Sequence, residues 1–256
     1  MQKSPSLEPA RCAELIRQAR SAVALSGAGI STAAGIPDFR GPQGLYVTRR
    51  YDPEKVFEIG WFRRSPGYFY EFSRDFVDTV KDIQPTFTHR WLAELEQAGC
   101  LTGVITQNID ILHQLAGSRK VIELHGSYRS ATCTGCGKRY ADLTYAWWEQ
   151  AMATSPTPPL ALCPACNDVL KPDIVFFGEM VDYFPAAEQL VAGCDLLLVL
   201  GSSLQVTPAS FLPYQTQATT VIVNRGTVLL PPSHHRHFVD GDLDAYFREV
   251  AKCLSG

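Results

Sequence analysis

No run of apolar residues in this chain approaches the roughly 20 needed to cross a bilayer, and the strongest, Leu196 to Leu200, is only five residues long. The first thirty residues carry Lys3, Glu8, Arg11, Glu14, Arg17 and Arg20 at intervals, which leaves no apolar segment of signal-peptide type. An excess of positive charge is missing too. The 23 Lys and Arg stand against 26 Asp and Glu, a formal net charge of −3, so the balance gives no electrostatic pull toward nucleic acid. There is no G-x-S-x-G, no P-loop lysine and no H-E-x-x-H, which sets aside the serine hydrolase, nucleoside triphosphatase and zincin readings. Internal repeats and low-complexity tails are also lacking. The expectation is a cytoplasmic protein with no membrane or nucleic-acid partner.

What is present is an ordinary globular composition, 46% hydrophobic and 19% charged over 256 residues. A chain of this length buries roughly 70–75% of its unfolded surface, enough for one large domain or one with a smaller companion. Residues 8 to 19 read as an amphipathic helix, followed by the apolar strand Ala22 to Leu25 and a glycine turn. Similar apolar runs at Leu101 to Thr106, Val121 to Leu124, Ile174 to Phe177, Leu196 to Leu200 and Val221 to Val223 alternate with helical patterns at 85–98, 183–193 and 208–218. Continuous Val/Ile/Leu strands separated by helices predict a doubly wound parallel sheet covered on both faces, an α/β core. Residues 46–84, rich in Tyr, Phe and Arg, and 127–171, which hold cysteine pairs and a proline-rich stretch, break that alternation. They are expected to form a small lobe, with 1–45, 85–126 and 172–256 making the large one and a ligand cleft between the two.

Four of the eight cysteines fall in two C-x-x-C pairs, Cys133/Cys136 and Cys163/Cys166, with 26 residues between the pairs. Two such knuckles complete a tetrahedron of thiolates, and four sulfurs leave no open position for water, so the pattern points to one structural zinc ion. The bland alternative is two unrelated buried or redox pairs. Cys12, Cys100, Cys194 and Cys253 read as small core residues. Gly27-Ala28-Gly29-Ile30-Ser31 after a strand is the opening of a dinucleotide turn, where glycines let backbone amides approach a pyrophosphate, although Thr32 stands where a third glycine is usual. On its own it is equally a tight strand-to-helix turn. Gly201-Ser202-Ser203 and Asn224 end two other expected strands, which supports a shared nucleotide site. His125 also ends a strand and is followed by Gly126, which would place a general base at the same edge. Gln107-Asn108-Ile109-Asp110 offers amides and a carboxylate there, with Asp110 also suited to cap a helix. The tract His234 to His237 reads as a solvated loop.

Gly27 to Ser31 running on to Gly35-Ile36-Pro37-Asp38-Phe39-Arg40, then Thr106 to Asp110, His125-Gly126, the two cysteine pairs, Phe176 to Glu179 and Gly201 to Leu204 together resemble, in this order and over roughly 8–253, the sirtuins of compact bacterial and archaeal type. Those are NAD-dependent protein lysine deacylases, with a Rossmann-type domain and a small lobe made of a zinc ribbon and a helical insertion. The resemblance implies an acylated lysine in a protein or peptide as substrate, giving deacetylated lysine, nicotinamide and O-acetyl-ADP-ribose. It implies cofactor contacts from Gly27, Ala28, Gly29, Ser31, Thr32, Phe39 and Arg40 at the pyrophosphate and ribose. Gln107, Asn108, Ile109 and Asp110 would hold the ribose and the carboxamide, and Gly201, Ser202, Ser203, Asn224, Arg225 and Asp242 the adenosine end. His125 and Asn108 would be the catalytic pair, with His125 the base on a ribose hydroxyl. Val175, Phe176, Phe177, Gly178 and Glu179 would pair with the substrate peptide as an added strand. Members that accept acidic acyl groups carry Tyr and, three residues on, Arg. Here the pair is Tyr70 and Ser73, which implies a preference for acetyl and other uncharged groups. Mono-ADP-ribosyl transfer or NAD hydrolysis at the same site remains the alternative.

Overall fold

The computed structural model describes residues 7–37, 51–155 and 157–255. Six parallel strands, β1 Ala22–Ser26, β2 Gly103–Thr106, β3 Val121–Glu123, β7 Leu196–Leu200, β8 Thr219–Asn224 and β9 Arg236–Asp240, lie in the order β3-β2-β1-β7-β8-β9. That is the doubly wound order 3-2-1-4-5-6, which reverses direction between β1 and β7. Alternate side chains feed opposite faces. Ala22, Ala24, Leu196, Leu198 and Leu200 join one buried cluster, and Val23, Leu25, Leu197 and Val199 join the other. Helices Pro9–Gln18, Phe87–Gln97 and Leu243–Ser255 cover the first face, and helix Phe184–Ala192 covers the second. Among the described residues no helix is long and apolar enough to cross a membrane.

A second sheet, antiparallel and three-stranded, has the order β5-β4-β6, from β4 Gly126–Cys133, β5 Arg139–Tyr140 and β6 Leu170–Ile174. It shares one core with helices Ile59–Arg64, Pro66–Val80 and Tyr145–Ala153. Phe62, Phe69, Phe72 and Phe176 pack there with ring centroids 5.1–6.3 Å apart, two pairs edge to face and two tilted.

Several expectations change. Ile174 to Phe177 is no strand of the parallel sheet. Ile174 ends β6 in the small sheet, and beyond it the chain makes only an isolated bridge, Glu58 to Phe177. An apolar run fixes burial and says nothing of which sheet it joins. The helix expected at 208–218 is a shorter 3-10 segment, Ala209–Tyr214, with Pro213 inside it, where a missing N–H and fixed φ oppose an α-helix. The histidine tract is partly strand, since Arg236 and His237 open β9. As an edge strand with Val239 its one fully buried residue, β9 has no apolar alternation to announce it. Cys100 is exposed, directly after Gly99, rather than in the core, and Cys253 is half-buried.

Candidate active site

The ends of β1 and β7 meet at the point where the strand order reverses. The Gly27 N–H donates to Leu200 O at 3.0 Å and the Gly29 N–H to Gly201 O at 2.9 Å. A Cβ on Gly29 would stand 2.7 Å from Gly201 Cα, and one on Gly201, whose φ is +61°, 2.5 Å from Ile30 N. No side chain fits between two backbones this close, which is why glycine stands at these positions. Among the described residues the N–H groups of Ala28, Ser202 and Ser203 donate to no protein acceptor. Free N–H groups at the carboxyl ends of parallel strands suit a phosphate-bearing ligand. The Ser202 hydroxyl is already engaged, accepting from Gln107 Nε2 at 3.0 Å and Leu204 N at 3.2 Å. Thr32 Oγ1 donates to Gly29 O at 3.0 Å.

One strand over, Gln107 N donates to Ser26 O at 3.0 Å and Asn108 N to Thr106 Oγ1 at 3.1 Å. Asn108 Nδ2 lies within 3.2 Å of Gly27 O, Ser31 Oγ and Asp110 Oδ2, and Ser31 Oγ donates to Asp110 Oδ2 at 2.6 Å. Asp110 Oδ1 accepts the Leu112 N–H at 3.0 Å, so this carboxylate both braces the loop and starts the next helical turn. Burial pushes its carboxyl above the usual range, against the hydrogen bonds from Ser31 and Leu112. Ile109 is half-buried beside it. Ile111 follows at φ +54°, a conformation that a β-branched residue adopts only under restraint.

His125 Nδ1 lies 2.9 Å from Gln107 O. A carbonyl accepts only, so Nδ1 carries the proton and Nε2 keeps a bare lone pair. Burial holds the imidazole below its ordinary value even though the Gln107 carbonyl favours the charged form, so the ring is neutral at neutral pH. Gly126, at φ +69°, brings β4 so close to β6 that a Cβ there would meet Asp173 O at 1.9 Å. On the same residue's other side the Val175 N–H donates to His125 O at 2.8 Å. His125 and the segment expected to hold peptide are therefore tied to each other.

That segment is only partly free. The Phe177 N–H donates to Phe57 O at 2.6 Å and Phe177 O accepts from Ile59 N at 3.2 Å. The Phe176 N–H donates to Glu179 Oε2 at 2.9 Å, and Glu179 pairs with Lys171 at 2.9 Å. Among the described residues Val175 O and Gly178 N have no partner. Phe176 is an anchor inside the aromatic core, whereas Phe177 and Met180 are exposed. At the far end of the crevice Asn224 Nδ2 donates to Arg225 O at 2.9 Å and Arg225 pairs with Asp242 at 2.8 Å. Asp242 Oδ1 accepts the Ala245 N–H at 2.8 Å and so caps the last helix. Phe39 and Arg40 lie outside the described residues.

The four Sγ atoms of Cys133, Cys136, Cys163 and Cys166 all lie within 4.8 Å of one another. Cys136 N and Ala165 N each reach a sulfur of their own knuckle at 3.4 Å, as backbone amides do around thiolates. Gly137 at φ +71° and Asn167 at φ +64° make the two turns. This donor set fits one zinc ion with closed coordination.

Sequence reasoning missed the layer behind the site. Ser26 Oγ donates to Thr106 Oγ1 at 3.0 Å and lies 2.8 Å from His113 Nε2, and His113 faces His89 at 4.7 Å between ring centroids. Polar residues at the ends of apolar runs carry no periodic signal of their own. Both rings are buried, and burial pulls His89 down to about 3 and His113 well below its ordinary value. The unfolded chain titrates these rings near 6.5, so below that pH it binds more protons than the fold does. Stability is full above about pH 6.5 and declines as pH falls, by about 2 kcal/mol at pH 5 for His89 alone, with His113 acting in the same direction. A fall in Tm on the order of 10 °C between pH 7 and 5 is expected in thermal melts; a flat profile would contradict neutral burial of the pair.

A family model described as "Sir2 family" matches residues 27–208. The chain is 44% identical over 217 residues to NAD-dependent protein deacetylase 1 of Pyrobaculum aerophilum, covering 83% of this chain and 82% of that one. It is 40% identical over 229 residues to NAD-dependent protein deacylase 2 of Archaeoglobus fulgidus, covering 87% of each. A Sir2 structure with a deacetylated p53 peptide and 3'-O-acetyl ADP-ribose superposes with a TM-score of 0.87 at 38% identity, covering 96% of this chain and 98% of that one. A Sir2 structure with a propionylated peptide does so with a TM-score of 0.83 at 36% identity, with the same coverage.

Proposed function

The chain belongs to the Sir2 family, and from that premise we infer that it is an NAD-dependent protein deacetylase acting on acyl-lysine side chains. The observation that carries the reading is the junction at His125. Its Nε2 lone pair is bare because Nδ1 is committed to Gln107 O, and its own carbonyl holds the strand-like segment at Val175. NAD, when bound, supplies an electrophilic sugar centre and a leaving nicotinamide. The free N–H groups of Ala28, Ser202 and Ser203 receive its phosphates, in a turn shaped by Gly27, Gly29, Ser31, Thr32 and Gly201; the N–H groups of Gly27, Gly29, Ser31 and Gly201 are spent within the protein. Gln107, Asn108, Ile109 and Asp110 hold the ribose and carboxamide, and Asn224, Arg225 and Asp242 the adenosine end, with Phe39 and Arg40 assigned to the pyrophosphate and ribose by the family resemblance. His125 accepts a ribose hydroxyl proton at Nε2. The large lobe, 1–45, 85–126 and 172–256, carries the cofactor, and the acyl-lysine enters between it and the small lobe, 46–84 and 127–171. Val175 O and Gly178 N pair with the peptide backbone. The setting is cytoplasmic, and neither nucleic acid nor membrane takes part.

Acyl preference follows from Tyr70 and Ser73. Both are buried, the Tyr70 hydroxyl donates to Leu170 O and Ser73 Oγ accepts from Tyr128 at 3.1 Å, so neither of these two positions offers a cation. A succinyl carboxylate would be desolvated unpaired, at a cost of a few kcal/mol. Incubation with acetyl- and succinyl-lysine peptides, with and without NAD, is expected to show acetyl loss only with NAD, nicotinamide and O-acetyl-ADP-ribose forming together, and succinyl turnover lower by about a hundredfold in kcat/KM. Equal turnover of the two peptides would refute the preference. NAD consumed with the acetyl group retained would point to ADP-ribosyl transfer or hydrolysis instead.

A further inference from the structure

Each of the two buried histidines behind the site has one nitrogen with a partner and one without. His89 Nδ1 accepts the Thr86 N–H at 3.3 Å and lies 2.8 Å from Thr86 Oγ1, while its Nε2 has no partner. His113 Nε2 lies 2.8 Å from Ser26 Oγ, while its Nδ1 has none. A backbone N–H can only donate, so His89 Nδ1 is bare and the neutral ring carries its proton on Nε2. That N–H is buried without an oxygen acceptor, a state that costs about 1–3 kcal/mol if left unrelieved. His113 holds the matching vacancy, an unpartnered Nδ1 on a ring whose centroid is 4.7 Å away at 63°. A hydrogen bond between these two nitrogens removes both orphans at once when His113 carries its own proton on Nε2.

We propose that His89 and His113 form a one-directional hydrogen-bond relay that positions Asn108: His89 Nε2–H to His113 Nδ1, His113 Nε2–H to Ser26 Oγ, and Ser26 O–H to Thr106 Oγ1. The last link is already formed, since Ser26 Oγ donates to Thr106 Oγ1 at 3.0 Å and Thr106 Oγ1 accepts the Asn108 N–H at 3.1 Å. Ser26 O also accepts the Gln107 N–H, and Gln107 O holds His125. The relay thus fixes the hydroxyl rotor of Ser26, and through it the strand ends from which the amide of Asn108 and the base are hung. Neither histidine touches the crevice, so both are positioning residues. Their effect on turnover rests on the deacetylase reading, whereas the proton assignment does not.

Histidine-labelled full-length protein followed by 15N NMR from pH 6 to 8 tests the assignment. Both buried rings are expected neutral, protonated at Nε2 and bare at Nδ1, with slowly exchanging ring protons. A proton on His113 Nδ1, or either ring charged at pH 6, would overturn the relay. Its positioning role is read from steady-state deacetylation. His113→Phe is expected to raise the KM for NAD about tenfold with the peptide KM within twofold, and His113→Gln, which keeps a donor toward Ser26, to recover most of the loss. No change in either variant, or an equal defect in both, rejects the role. If the phenylalanine variant does not fold, Ser26→Ala removes a single hydroxyl and carries the same expectation, with an unchanged NAD KM as the rejecting result. A wild-type protein that shows the expected tautomers and deacetylates nothing would mark the functional reading, and not the relay, as the failure.

Discussion

Replacing His125 with alanine is expected to lower kcat/KM for deacetylation by about a thousandfold while leaving the fold intact, because general-base catalysis contributes roughly 10²–10⁴ in rate. The nucleophile in this chemistry is the acyl oxygen of the substrate, so the protein's share is to take a hydroxyl proton and to exclude water. Among the described groups of the crevice, His125 Nε2 is a neutral nitrogen held ready by a fixed partner on the other side of its ring, Gln107 O at 2.9 Å. Alanine removes that lone pair and keeps the backbone carbonyl to which Val175 N donates, so peptide binding and Tm should move little. The wild-type pH profile offers an independent check. A base works in its neutral form, and burial holds this imidazole below the ordinary value of 6.5, so the acid limb of kcat/KM should fall below pH 6.5. Near wild-type turnover by the alanine variant, or an acid limb above pH 7, would remove His125 from the role.

The parts of this site that a reader of the sequence can find are those whose chemistry is local. Gly27, Gly29 and Gly201 announce a close backbone approach, because no other residue survives a contact of 2.5–2.9 Å at the Cβ position. The two C-x-x-C pairs announce a tetrahedron, since two residues between sulfurs is what one turn needs. Asp110 is legible as a cap, and its carboxylate accepts the first N–H of the helical turn that follows. What the sequence conceals is tertiary. Ile174 to Phe177 has the apolar content of a core strand, and only the crossing at Gly126 assigns its first residue to the small sheet. Phe176 reads as a peptide contact and is an anchor in the aromatic core, because alternate residues of an extended segment face opposite ways. His89 lies 24 residues from His113, and nothing in the spacing says that the first turns of two separate helices bring their rings together.

The largest effect on stability is expected from the cysteine cluster. Dialysis against a strong chelator should remove one zinc per chain, unfold the small sheet and abolish deacetylation, with both restored by added zinc; Cys163→Ala should behave as the metal-free protein. Structural zinc sites contribute about 10–16 kcal/mol of apparent free energy in small peptides, as much as the whole stability of a typical domain. Here the metal joins two knuckles that the small lobe has few other means of holding. Cys133 and Cys163 are buried in its core, and β5 is only two residues long. Activity should follow although four sulfurs leave the ion no open position for substrate. The strand β4, which ends in Cys133, begins at Gly126, and β6 runs from the second knuckle into Val175, so both neighbours of His125 are extensions of the zinc lobe. Hydrogen exchange separates this from a catalytic ion. A structural site predicts that amide protection in β4 and β6 is lost together with turnover. Metal removal that ends turnover while those amides stay protected would place the ion in the chemistry and contradict the closed four-thiolate reading.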